Sequence, residues 1–186
     1  MHETSTASKT IKITEANPND ALDLTRLYHI TWLDTYPNDE LGITKEDIED
    51  SYKDSYSEEK INNYKKIIRD APKNQKRLVA KCGDKIVGVI SVEIEEKINM
   101  LKTIYILPEF QGKGIGTTLW NKIKDFLDQD KDTVVHVVTY NENAIRFYKK
   151  IGFVDFGKRW SDDKWKMKSG ATLPEMELVI KKPNHI

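Results

Sequence analysis

Apolar and polar positions alternate along this chain with two periods that take turns. Thr10 to Glu15 alternates residue by residue and predicts a first strand. After Pro18-Asn19-Asp20 the spacing changes. Leu24, Leu27, Tyr28 and Thr31 recur as one face of a helix running to about Tyr36, and Pro37 closes it. From Thr44 to Ala71 the segment is rich in charge and predicts two helices with a thin inward face of Ile48, Tyr52, Ile61, Tyr64, Ile67 and Ile68. The second of them starts at Ser57, carries Glu58 and Glu59 in its first turn and ends before Pro72. Leu78 to Lys81 and Lys85 to Glu95 predict strands joined by a Gly83-Asp84 turn. A strand over 100–107, a helix over 114–129, a strand over 133–139 and a helix over 141–151 then predict a βαβα core. Phe153 to Trp165 and Glu175 to Lys181 predict a final strand pair.

That alternation predicts a single α/β domain over residues 10–182, preceded by a disordered Ser/Thr-rich tail over 1–9, with no repeat and no linker. A chain of 186 residues with 38% apolar side chains can bury a core of two or three layers. Thirty basic and thirty acidic side chains cancel, so no global field recruits nucleic acid or a membrane. No apolar run reaches spanning length, and Met1 to Thr10 lacks the apolar stretch of a secretion signal, which predicts a soluble cytoplasmic protein. The lone Cys82 cannot form an internal disulfide and agrees with a reducing compartment. No His/Cys cluster has metal-ligand spacing, so no metal is expected.

The densest chemistry lies at Gln111-Gly112-Lys113-Gly114-Ile115-Gly116, between the strand ending at Leu107-Pro108 and the next helix. Glycines leave consecutive backbone N–H groups open to an anion, and Ile115, Leu119, Ile123, Phe126 and Leu127 begin an apolar helical stripe at once. First-turn N–H groups lack intrahelical acceptors and carry the positive end of the helix dipole, so a pyrophosphate fits there. A Walker A loop fails because Gly114 follows Gly112-Lys113 and Leu107 stands five residues before Gly112. A dinucleotide fingerprint fits poorly, because Thr117 stands where its last glycine belongs.

The pattern Gln/Arg-x-x-Gly-x-Gly/Ala after such a strand closely resembles the acetyl-coenzyme A loop of the GCN5-related N-acetyltransferase (GNAT) superfamily. Downstream, Asn141-Glu142-Asn143-Ala144-Ile145-Arg146-Phe147-Tyr148-Lys149-Lys150-Ile151-Gly152-Phe153 resembles the superfamily's other hallmark, Asn-x-x-Ala-x-x-Phe/Leu-Tyr-x-x-x-Gly-Phe, at every hallmark position. The likeness is strong from about Val87 to Phe153. It implies a mixed central sheet of about six to seven strands flanked by helices, with splayed parallel central strands.

It implies direct acetyl transfer from acetyl-coenzyme A to a primary amine, either a small amine such as a polyamine or a peptide amino group. A non-catalytic acyl-coenzyme A sensor of the same fold is the alternative. Ile104, Tyr105 and Ile106 would hold the pantetheine arm and thioester, and Gln111, Gly112, Lys113, Gly114, Ile115, Gly116 and Thr117 the pyrophosphate. Asn141 would anchor the pantetheine, although Asn is also an ordinary helix N-cap. Tyr148, two helical turns from Asn141, would meet the departing thiolate, and the alternative is a tyrosine packed between Phe147 and Phe153.

His136, five residues before Asn141, is the candidate base for the acceptor amine, and the alternative is a core histidine among valines. Trp32 and Tyr36 would wall the acceptor side. Glu46, Asp47, Glu49, Asp50 and Asp54 could attract a polyamine or form a solvated helix face. Many members of the superfamily are homodimers, and nothing in this sequence marks an interface.

Overall fold

In a computed structural model, which describes residues 10–161 and 166–183, seven strands form one mixed sheet in the order β1-β2-β3-β4-β5-β7-β6. The strands are β1 (Ile11–Glu15), β2 (Gln75–Cys82), β3 (Lys85–Ile94), β4 (Ile98–Ile106), β5 (Asp132–Val138), β6 (Val154–Trp160) and β7 (Glu175–Ile180). The helices are α1 (Ala21–Thr35), α2 (Lys45–Tyr52), α3 (Glu58–Arg69), α4 (Ile115–Ile123) and α5 (Glu142–Lys150). Every pairing is antiparallel except β4 with β5. This is the mixed sheet with flanking helices that the motifs imply. The expected tail over 1–9 and the end of the expected strand at 162–165 lie outside the described residues.

Sequence and structure differ where a local side chain outcompetes periodicity. Pro18–Asp20 forms a 3₁₀ turn ahead of α1, because Asn17 and Asp20 close a reciprocal capping box on it. α4 stops at Ile123 and tightens to 3₁₀ over Lys124–Phe126, short of the expected end at 129. The cause is the buried Asn99: its amide donates to the Asp128 carbonyl at 2.8 Å and its carbonyl accepts from the Asp128 N–H at 3.1 Å. Those two bonds draw the chain out of the helix, and Leu127 goes extended with its side chain still buried.

The sheet is covered on both faces. On β4, Ile104 and Ile106 point to α4: a Cβ added at Gly116 would lie 3.7 Å from Ile104 Cδ1, and one added at Gly88 of β3 would lie 2.6 Å from Ile106 Cδ1 and 3.4 Å from Ile115 and Leu119 of α4. Tyr105, between them, points to α1 and meets Tyr28 edge-on at 5.7 Å. β5 alternates likewise: Val135 and Val137 join the main core with Tyr148 and Phe153, while Val138 joins a second cluster with Tyr36, Ile43 and Ile48. His136 therefore stands on the α1 face beside Val138.

α2 is fixed by its own acidic residue. Asp47 is buried, closes a capping box with Thr44 and accepts from the Ser169 N–H at 2.7 Å. Burial would raise its carboxyl pKa, yet the hydrogen bonds from Thr44 and Ser169 win and hold it below the ordinary value.

Candidate active site

β4 and β5 run as a parallel pair only from Ile98/Asp132 to Leu101/Val135. Beyond that point β4 stays with β3 as far as Ile106, and β5 stays with β7 as far as Val138. The divergence starts at a bulge, because Ser91 opposes Thr103 while Val92 opposes Leu101, which leaves Lys102 as the extra residue. A bulge bends its strand, and here it turns β4 away from β5. The β5-side edge of Thr103–Ile106 has no strand partner among the described residues. A cleft of about 960 Å³ fills the gap, within the range of small-molecule sites.

The glycine loop forms one wall. Gly112 and Gly114 take φ of +71° and +78°, which L side chains adopt with strain, and a Cβ at either would meet open space. Among the described residues the N–H groups of Gly112 through Thr117 meet no acceptor, and the first inward bond runs from the Thr118 N–H to the Gly114 carbonyl at 3.0 Å. Six donors in succession at the start of a nine-residue helix form a nest for an anion. Gln111 turns inward, its amide donating to the Ile106 carbonyl at 3.1 Å, and so ties the loop to the end of β4. Lys113 turns away: its ammonium donates to the Glu109 carbonyl at 2.8 Å and sits over the Phe110 ring, and it does not line the cleft. Its side chain is therefore no part of this wall, and its contribution is the backbone N–H.

α5 supplies the wall opposite. Asn141 is its N-cap, with Oδ1 accepting from the Ala144 N–H at 3.0 Å, while the residue also lines the cleft. The cap uses the oxygen, and the amide nitrogen makes no hydrogen bond among the described residues. Tyr148 lines the cleft between Phe147 and Phe153, each ring edge-on at 5.6 Å. Its hydroxyl has no hydrogen-bond partner among the described residues, and burial, with Tyr105 nearby, pushes its pKa well above the ordinary phenol value. It is thus a protonated donor at any physiological pH.

On the α1 face the cleft is aromatic. Trp32 and Tyr36 meet edge-on at 4.7 Å and both line it. The Tyr36 and Tyr105 hydroxyls hydrogen-bond at 2.7 Å, and the Tyr140 O–H donates to the Tyr36 carbonyl at 2.7 Å. Burial pushes Tyr105 up to about 12, restrained by hydrogen bonds from Tyr36 and Trp32.

His136 sits at the same end, its ring edge-on to Trp160 at 4.7 Å and its Nε2 3.5 Å from a Glu177 carboxylate oxygen. Burial lowers its pKa from the ordinary imidazole value, against the opposing pull of Glu175 and Glu177. The residue is exposed and lines the cleft, and the lowered pKa favours the neutral imidazole.

The structure thus brings together both motifs, His136, Trp32, Tyr36 and Ile104 to Ile106 around one cleft. The acidic residues of α2 stay outside it. Glu49 faces His29 at 3.1 Å, Asp50 meets Lys53 and Lys168, and Asp47 is the cap already described. Sequence reasoning passed over Tyr140, Glu175 and the Tyr105 hydroxyl. For Glu175 the signal was present as Glu175-Met176-Glu177, a strand that puts carboxylates on the face opposite its apolar residues.

A family model of the acetyltransferase (GNAT) domain matches residues 45–168. An uncharacterized N-acetyltransferase of Methanocaldococcus jannaschii is 34% identical over 61 residues, 32% of this chain and 27% of that protein. The "Probable N-acetyltransferase san" of Drosophila melanogaster is 33% identical over 82 residues, 40% of this chain and 45% of that one. The chain thus matches less than half the length of either relative. In fold it is similar to the PaiA N-acetyltransferase of Thermoplasma acidophilum, solved in complex with coenzyme A. The TM-score is 0.66 at 24% identity, covering 94% of this chain and 99% of that one.

Proposed function

Because the chain belongs to the GNAT acetyltransferase family, we propose that it transfers the acetyl group of acetyl-coenzyme A directly to a primary amine. The observation that carries this reading is the cleft between β4 and β5, which joins an anion nest at one end to a buried, unpaired phenol and a neutral imidazole at the other. The nest takes the pyrophosphate, the bared edge of Thr103–Ile106 takes the pantetheine arm, and Asn141 adds an amide donor or acceptor beside it. This orientation brings the thioester to Tyr105 and Tyr148 and leaves the α1 face for the acceptor. A carrier-binding sensor needs the nest alone and has no use for a hydrogen-bond donor aimed at the sulfur.

The chemistry needs a proton acceptor. A primary amine of pKa about 10.4 is neutral in roughly one molecule per two thousand at pH 7, a penalty of about 4 to 5 kcal/mol. His136 takes that proton, the amine lone pair attacks the thioester carbon, and the carbon–sulfur bond breaks as the tetrahedral adduct collapses. As the adduct collapses its nitrogen gives up a second proton, which converts the thiolate to free thiol, and the third stays on the new amide.

Mixing the purified chain with acetyl-coenzyme A and a thiol reagent, with and without a panel of small amines and unblocked peptides, tests the reading. Thiol is expected only when an amine is present. Binding of carrier with no amine-dependent thiol would mean a sensor. Within that assay the kcat/KM of the wild type is expected to rise with pH through a pKa below the ordinary histidine value of about 6.5. His136→Ala should lose that limb, and an unaltered profile would remove His136 from the mechanism.

A further inference from the structure

Glu175 lines the cleft on the α1 face, half-buried, with no hydrogen-bond or ion-pair partner among the described residues. Its register partner on β5 is Val138, and on β6 it is Trp160. That makes it the diagonal neighbour of His136 on the same face, and diagonal pairs lie roughly 7–8 Å apart. Its charge is felt at both the Tyr105 hydroxyl and the His136 ring. The adjacent carboxylate differs: Glu177 pairs with the Lys158 ammonium at 2.7 Å and faces His136 Nε2 at 3.5 Å, so its charge is already compensated. Asp34 also lines the cleft, but it is exposed at the rim.

A half-buried carboxylate with no partner is a poor final state for a folded protein unless a cation completes it. Hydrogen-bonding contacts of about 2.8 Å on either side of one nitrogen span most of the gap between diagonal side chains. We propose that Glu175 receives the acceptor's ammonium group and holds it beside His136. This inference rests on the acetyl-transfer reading above and adds a residue and a substrate requirement to it: the acceptor enters as a cation. Docked there, R–NH₃⁺ gives one proton to the neutral imidazole and becomes R–NH₂, and the Glu177 carboxylate, 3.5 Å from Nε2, steadies the imidazolium that forms. The freed lone pair then points at the thioester, and no oxidant or further reactant is needed.

The test separates nucleophiles by charge. Initial rates of thiol release at pH 7.5 are measured for the wild type, Glu175→Gln and Glu175→Asp. The probes are butylamine and 1,4-diaminobutane, cationic at that pH, and an unblocked peptide, whose amino group is mostly so, against hydroxylamine, which is uncharged there, each corrected for the uncatalysed reaction. Glu175→Gln should lower kcat/KM for the best cationic acceptor by about 10- to 100-fold, mainly through KM, while leaving hydroxylamine within about threefold. Glu175→Asp should recover part of the loss, and calorimetry should give the same acetyl-coenzyme A affinity for all three proteins. An equal loss for charged and uncharged nucleophiles, or no loss for either, overturns the role of Glu175. A wild-type chain that releases no thiol with any amine is a different result, which overturns the acetyl-transfer reading and this inference with it.

Discussion

Tyr148→Phe is expected to lower kcat by about 10²- to 10⁴-fold while the affinity for acetyl-coenzyme A stays within a few fold. The hydroxyl oxygen is all that changes. Phe147 and Phe153 continue to clamp the ring edge-on, so packing of the main core is kept and the variant should fold. What disappears is a donor held ready: the hydroxyl spends no bond on any described residue, so none must break when the sulfur arrives. Its raised pKa also decides the kind of help it gives. Burial makes the phenol a much weaker acid than a thiol of pKa about 8.5, so complete proton transfer to the thiolate runs uphill. The gain lies in a hydrogen bond that strengthens as negative charge gathers on sulfur, an interaction larger in the transition state than in the ground state. Single-turnover kinetics should therefore show slower acetyl transfer at saturating carrier. A wild-type kcat from Tyr148→Phe would exclude the hydroxyl from the reaction.

Much of this site could be read from the chain because its two halves are local. A glycine loop that opens a helix and an Asn that caps the next one each carry their geometry within about a dozen residues, so spacing alone places the nest and Tyr148. What escaped depends on pairing between distant strands. Nothing in Thr133 to Thr139 says which face His136 takes until β7 supplies Glu177 opposite it and Val138 falls into the second core cluster. Glu175 carried a signal in the alternation of Glu175-Met176-Glu177, but what its carboxylate faces depends on β5 and β6, which lie elsewhere in the chain. The Tyr105 hydroxyl needed the end of α1 to bring Tyr36, 69 positions upstream, against it. The acidic residues that offered either a polyamine site or a solvated helix face do not line the cleft: Asp47 caps α2, Glu49 faces His29 and Asp50 meets Lys53 and Lys168. Helix ends follow the same logic, because Asn99 cut α4 short from a strand that precedes it.

The loop itself yields the second large effect, in Gly114→Val. Gly114 is the residue before α4, at φ +78°, and a left-handed conformation costs a β-branched side chain about 1–2 kcal/mol or more. Space is not the obstacle, because an added Cβ at this position meets nothing within 4 Å. The strain can be relieved only by rotating the 113–115 backbone toward negative φ, and that rotation turns the neighbouring N–H groups away from the cleft. Hydrogen bonds to a charged group contribute about 1.5–3 kcal/mol each, so losing two of them weakens acetyl-coenzyme A binding by about 10²- to 10⁴-fold. The thermal midpoint should move little, since the loop packs against nothing at that position and α4 keeps Ile115, Leu119 and Ile123 in the core. Gly116 makes a useful contrast, because a Cβ there would approach Phe147 to 3.2 Å. Gly116→Val should damage packing between α4 and α5 as well as binding, so its midpoint falls too. Calorimetric titration with acetyl-coenzyme A, paired with a thermal melt, separates the two substitutions. Unchanged affinity in Gly114→Val would mean that the pyrophosphate is held elsewhere.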